Sequence, residues 1–125
     1  MAREITTHKV NGCNDGLKIT AVDEPGSGGA NHQYRCEFVP KLGPTDYECF
    51  AINFQNGPIA SVGTNGLTHE ALLAIVCDRL QGFQTGPYKC RENALAITKI
   101  EEAMHWLKSR TEARTARGVE GTHTV

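Results

Sequence analysis

Apolar and polar residues alternate along the first half of the chain and recur at helical spacing along the second. Leu17, Ile19 and Ala21 alternate with Lys18 and Thr20, Tyr34, Cys36 and Phe38 with Arg35 and Glu37, and Phe50, Ile52 and Phe54 with Ala51 and Asn53. A period of two puts every second side chain on one face, the pattern of a half-buried strand. Ile5 to Val10 adds a short β-prone run, and the Asn56-Gly57 hairpin signal predicts a return strand over Ile59 to Val62. Turn signals separate these runs at Asn14-Asp15-Gly16, over the Gly-rich Asp23 to Asn31 and over Lys41 to Asp46. Four or five short strands with tight turns predict a small antiparallel sheet.

The period changes at Asn65-Gly66. Thr68 is a good helix N-cap, and Glu70 in the first turn suits the helix dipole. Leu72, Leu73, Val76, Leu80 and Cys77 form an apolar stripe at helical spacing, and Gly82 suits the position that closes the helix. A second helix opens at Pro87 or just after it and meets no Gly or Pro from Tyr88 to Arg117. Its seam is Ile97, Ile100, Met104 and Leu107, spaced 3, 4 and 3 as in a helix that packs along another helix. The fold class is therefore α+β: a β-rich region over 1–66 and a helical hairpin over 67–125, together one compact domain. At 1.5 Å per residue the first helix spans roughly 22 Å and the second roughly 42 Å. The excess is expected to be solvated, frayed or laid against another subunit. The tail after Gly118 carries no core signal.

Composition narrows the function classes. The chain has 125 residues and a net charge of -1, without the basic balance of a general nucleic-acid binder. No apolar run approaches the roughly 20 residues that span a bilayer, and the N-terminus lacks a signal-peptide core, so a cytoplasmic location is expected. Five widely spaced cysteines, an odd number, do not form a disulfide framework or a C-x-x-C metal pair. The five histidines are scattered, and no convergent acid, base and nucleophile set is visible. Binding of a local anion is expected instead of catalysis, with no cofactor or metal.

Several residues could carry that binding. Arg110, Arg114 and Arg117 stand at i, i+4 and i+7 and share one helix face, where guanidiniums can fork onto phosphate oxygens. The alternative is a solvated cationic end that complements the helix dipole. Phe83 falls just after Gly82, past the regular stripe, and could stack on a nucleobase or make the apolar contact of a glycine cap. Asn93 offers a donor and an acceptor near the start of the second helix, to a ligand or to the local backbone. Arg91 and Lys89 lie near the same helix start. The Gly26 to His32 loop matches a phosphate cradle in composition only, since it lacks the P-loop Lys-Ser/Thr and no helix follows.

The stretch ALLAIVCDRLQGFQTGPYKCRENALAITKIEEAMHWLKSRTEARTARGVEGTH resembles the helical hairpin shared by two groups of phage counter-defence sponges. These are the first-described type of Thoeris anti-defence protein and the second type of anti-CBASS protein. The length and the β-rich first half, with DEPGSGGANHQY, resemble the Thoeris group. The resemblance implies a sponge that sequesters glycocyclic ADP-ribose without cleaving it, in the cytoplasm of the infected bacterial host. It implies Phe83 against the adenine, Asn93 bonded to the ligand, and Arg110 and Arg114 on the phosphates. It implies homodimers or homohexamers. Some members hold cyclic di- or trinucleotides at a second site, and Arg91, Asn31 and His32 fall in segments where that site would lie. No nucleic-acid polymer or membrane partner is implied. The rival readings are an enzyme that degrades a cyclic nucleotide and a purely structural oligomeric module.

Overall fold

The computed structural model describes residues 2–38 and 48–125, the Glu48 side chain excepted. The predicted turn over Lys41 to Asp46 lies outside the described residues. The architecture is α+β: a four-stranded antiparallel sheet followed by C-terminal helices. The chain divides into two compact units, Met1–Gly57 with Thr64–Gly66, and Pro58–Gly63 with Leu67–Val125. No described helix is long and apolar enough to cross a membrane.

The first unit is a meander in the order β1 (Arg3–Ile5), β2 (Leu17–Ala21), β3 (Gln33–Phe38) and β4 (Glu48–Asn53). Its register pairs Ile5 with Ile19, Ile19 with Cys36, and Cys36 with Phe50, while Ala21 pairs with Tyr34 and Tyr34 with Ile52. Directly paired residues share a sheet face, so the alternation seen in the sequence collects these apolar side chains on one side. Edge-on ring pairs Tyr34–Phe54 and Phe38–Phe50, with centroids 5.7 and 6.3 Å apart, extend that side. Burial, and then the charge of neighbouring Cys49, push the Cys36 thiol above its ordinary range. Between β1 and β2 lies one helical turn, α1 (Gly12–Asp15), capped by the Asn11 side chain.

Two strand expectations are corrected. Of the run Ile5 to Val10 only Ile5 lies in a strand, the last residue of β1, because the chain then turns at once, with Lys9 N–H donating to the Thr6 carbonyl. Ile59 to Val62 is not a return strand but a helical turn, α2 (Ile59–Val62). Pro58 has no N–H for a ladder, and its fixed φ suits entry to a helical turn. Its carbonyl accepts from Ser61 and Val62 at 2.9 and 3.0 Å. Nor is Asn56 free for a hairpin. Its N–H donates to the Asn65 side chain and its carbonyl accepts from the same amide, both at 2.8 Å.

The second unit is built on α3 (His69–Gln84) and α4 (Arg91–Ala116), which pack against each other. Thr68 caps α3 as expected, accepting from Ala71 N–H at 3.1 Å. The inward positions of α3 are Leu73, Cys77, Leu80 and Gln84, spaced 4, 3 and 4. Cys77 is buried, whereas Val76, expected on the stripe, is exposed. On α4 the half-buried seam is Asn93, Ile97, Ile100, Met104 and Leu107, and it resumes seven residues on at Arg114.

Candidate functional site

The hairpin turn lies later in the chain than the sequence suggests. Helix α3 runs through Gly82 to Gln84 and is capped by Thr85, whose N–H and hydroxyl both donate to the Gly82 carbonyl. Gly82 is therefore helical and not a left-handed terminator. Phe83 consequently lies on the helix, one turn after Arg79, where it continues the flank formed by Leu72 and Val76. Helix α4 starts at Arg91 and not near Pro87. Cys90 is its cap, accepting from Asn93 N–H at 3.4 Å through Sγ. The Gln84 side chain clasps the turn: its amide donates to the Cys90 carbonyl and accepts from Cys90 N–H, both at 3.0 Å. Sequence reasoning missed Gln84 and Cys90, although the spacing of six residues across a Gly-Pro turn fits such a clasp.

Phe83 and Asn93 flank this turn, both half-buried. The Asn93 side-chain amide has no hydrogen-bond partner among the described residues. The Arg79 guanidinium lies over the Phe83 ring, 4.9 Å from its centroid. Arg91, the first residue of α4, is exposed and has no partner among the described residues.

The arginines stand at the other end of α4. Asn93 to Arg110 is about 25 Å along the axis, and Asn93 to Arg114 about 32 Å, at 1.5 Å per residue. Helix α4 ends in a Schellman motif: Gly118, at φ 74°, donates to the Thr115 carbonyl, and Val119 N–H donates to the Arg114 carbonyl at 3.1 Å. The tail then folds back. Arg114 donates through Nη2 to the carbonyls of Val119 and Thr122, and through Nε to Glu120 at 3.2 Å. The Ala60 N–H of α2 donates to the Gly121 carbonyl at 2.9 Å. So the tail, without an apolar signal of its own, is held through its backbone carbonyls, by Arg114 and Arg117 among others.

This arrangement separates the three arginines by role. Arg114 has only 17% of its side chain exposed and keeps Nη1 unpartnered among the described residues. Arg117 donates to the Val125 carbonyl at 2.9 Å. Arg110 is exposed and makes no hydrogen bond or ion pair among the described residues, so all five of its N–H groups are free for an anion.

Asn31 and His32 belong to the first unit. The Asn31 amide donates to the Asp23 carbonyl at 2.6 Å and to its carboxylate at 3.2 Å, while its oxygen accepts from Arg3 at 2.8 Å. His32 N–H donates to the Asp23 carboxylate at 3.0 Å, and its Nε2 lies 2.9 Å from the Ser27 carbonyl. Burial tends to raise the Asp23 pKa. The His32 and Gln33 N–H groups, with the Asn31 amide, outweigh it and hold the carboxyl below its ordinary value. These bonds stitch the Gly-rich loop, whose only regular element is a 3-10 turn over Ser27–Gly29. No group of His, Cys, Asp and Glu able to hold a metal occurs among the described residues.

Comparison with known proteins places the hairpin. The family model for the Acb2/Tad1 hairpin domain matches residues 48–112, from β4 through most of α4. Thoeris anti-defense 1 of Bacillus phage SBSphiJ7 is 57% identical over 72 residues, covering 58% of this chain and 51% of that protein. The chain thus spans about half the length of this relative. Phe83, Asn93 and Arg110 fall inside the family match, and Arg114 lies two residues beyond it.

Proposed function

The chain belongs to the Acb2/Tad1 hairpin-domain family, and from that premise we propose that it is a phage counter-defence sponge. It captures glycocyclic ADP-ribose in the cytoplasm of the infected host and holds it intact, which silences Thoeris signalling. The observation that carries this reading is the pair of unsatisfied ends of the hairpin. One end offers a half-buried aromatic ring and, across the turn, an amide with no hydrogen-bond partner among the described residues, and the other offers guanidinium groups with free N–H donors. A ligand with one purine base and two phosphates needs both kinds of group.

Because those ends lie about 25 to 32 Å apart in one chain, the site is completed by a second copy. The exposed apolar residues of the hairpin support assembly: Ile75 and Trp106 are 62% and 63% exposed, with Val76 and Leu95 also uncovered. A homodimer is the smallest assembly that meets the requirement, and a hexamer of such dimers meets it as well. Sequestration needs affinity and slow release, not transition-state stabilisation, and the proposed ligand set is Phe83, Asn93, Arg110 and Arg114. The bonds that hold Asn31 and His32 within their own loop favour a scaffold role for both, so the proposal rests on this site and not on a second one with Arg91.

Native mass spectrometry of the full chain mixed with glycocyclic ADP-ribose and cyclic di- and trinucleotides tests the reading. The expected result is a dimer or larger assembly carrying glycocyclic ADP-ribose, which heat denaturation releases at unchanged mass. Recovery of a hydrolysed product would make the protein an enzyme. An assembly that takes up no nucleotide would make it a structural module.

A further inference from the structure

Arg79 makes the only ring contact of Phe83 among the described residues. It is exposed, it forms no hydrogen bond or ion pair among the described residues, and its guanidinium carbon sits 4.9 Å over the Phe83 centroid. The contact follows from spacing: Arg79 precedes Phe83 by four residues, so the two stack along one helix flank. Phe83 is half-buried, and the guanidinium over its ring is exposed. A base that stacks on that face of Phe83 therefore meets Arg79 first.

We propose that Arg79 is a base-clamping residue: its guanidinium covers the Phe83 ring in the free protein and closes over the outer face of a planar nucleobase in the complex. This rests on the reading of Phe83 as the base-binding residue. The guanidinium suits the role because it is planar, delocalised and weakly hydrated, and it stacks on π faces as an ammonium does not. An exposed cation–π contact is weak, so lifting Arg79 off the ring costs little. Once lifted, it sandwiches the base between a ring and a cation, a geometry selective for an aromatic base over a bare phosphate.

The test compares wild type, Arg79→Ala and Arg79→Lys with glycocyclic ADP-ribose as the probe. Calorimetry gives affinity, and adenine absorbance at saturation gives stacking. Arg79→Ala is expected to weaken binding about tenfold, to reduce the hypochromism of the bound adenine and to leave thermal melting of the free protein unchanged. Arg79→Lys is expected to recover little of the affinity, since it keeps the charge but not the plane. Wild-type affinity in Arg79→Ala, full rescue by Arg79→Lys, or undiminished hypochromism in Arg79→Ala would each overturn the clamp. Failure of the wild type to bind the probe would instead overturn the sponge reading beneath it.

Discussion

The proposed binding site, split between the two ends of the hairpin, can be tested by mixing two inactive proteins. Phe83→Ala removes the aromatic half, and Arg110→Ala with Arg114→Ala removes the cationic half. Asn93 and Arg114 are 21 residues apart on one continuous helix, about 32 Å, which is the diameter of a small domain. No single nucleotide bridges that distance, so neither half suffices within one chain. Each variant alone should be much weaker than wild type, by about 5- to 150-fold without the stacking ring and by more without the two arginines, so that at a ligand concentration just saturating wild type neither fills its sites. Unfolded and refolded together at equal amounts, the two should recover about one quarter of the wild-type sites. The fraction follows because about half of the dimers are mixed, and each mixed isologous dimer holds one complete site and one doubly broken one. Equilibrium dialysis with glycocyclic ADP-ribose counts the sites. A mixture that binds no ligand, while native mass spectrometry shows mixed dimers, would place the site within one chain and refute the reasoning.

Three further outcomes follow from hydrogen bonds in the hairpin and in the Gly-rich loop. Gln84→Ala removes both bonds that clasp the hairpin turn and should lower unfolding free energy by about 1 kcal/mol, up to about 2, in urea titration. No change would mean that the clasp is replaced by water at no cost. Glu120→Ala frees Nε of Arg114, and should raise the affinity for glycocyclic ADP-ribose roughly two- to fivefold while costing at most about 1 kcal/mol of stability. A fall in affinity would show that Glu120 positions the arginine instead of competing for it. Asp23 has a pKa held below its ordinary value of 3.8 in the folded protein. Its contribution to stability is therefore fully present above that value and lost as pH falls through the lower folded value. Thermal melts followed by circular dichroism from neutrality into acid should show Asp23→Asn less stable than wild type near neutrality and less sensitive to pH as it falls below 3.8; equal pH dependence of the two would refute it.

Much of this architecture was legible in the sequence because burial imposes a period. The alternation at Leu17 to Ala21 and Tyr34 to Phe38 became β2 and β3, and the 3-4-3 spacing at Ile97 to Leu107 became the α4 seam. Where local chemistry competes with pattern, the pattern lost. The Asn56-Gly57 signal is strong for a hairpin, but Pro58 removes a donor and Asn65 takes both backbone groups of Asn56, so a helical turn replaced the strand. Gly82 looked like a helix terminator, but the Thr85 hydroxyl and the Gln84 clasp supply the termination later. The tail after Gly118 has no apolar period at all. Its order comes from Arg114 and a Schellman turn, interactions that no hydropathy pattern encodes. For the same reason the arginine row looked uniform in sequence, whereas the structure separates a half-buried latch from an exposed donor.

The spacing along α4 also predicts how two copies meet. If Asn93 of one chain lies opposite the partner's Arg110, the helices run antiparallel and the twofold axis falls near residue 101 or 102. Leu95 and Trp106 are symmetric about nearly the same point, and both are exposed in the single chain, at 47% and 63%. They lie 11 residues apart, close to three full turns, so they share one flank, and Arg110 follows Trp106 by one further turn on it. One antiparallel pairing through this flank would seat Leu95 against the partner's Trp106 twice and set the partner's Arg110 level with Asn93 along the helix axis. The twofold relation makes charge exchange a direct test. Leu95→Lys and Trp106→Glu should each shift the dimer to monomer in sedimentation. Combined in one chain, they should restore it, because each lysine then faces a glutamate of the other copy. Singles that stay dimeric, or a combined variant that stays monomeric, would exclude this pairing while leaving the composition of each half-site intact.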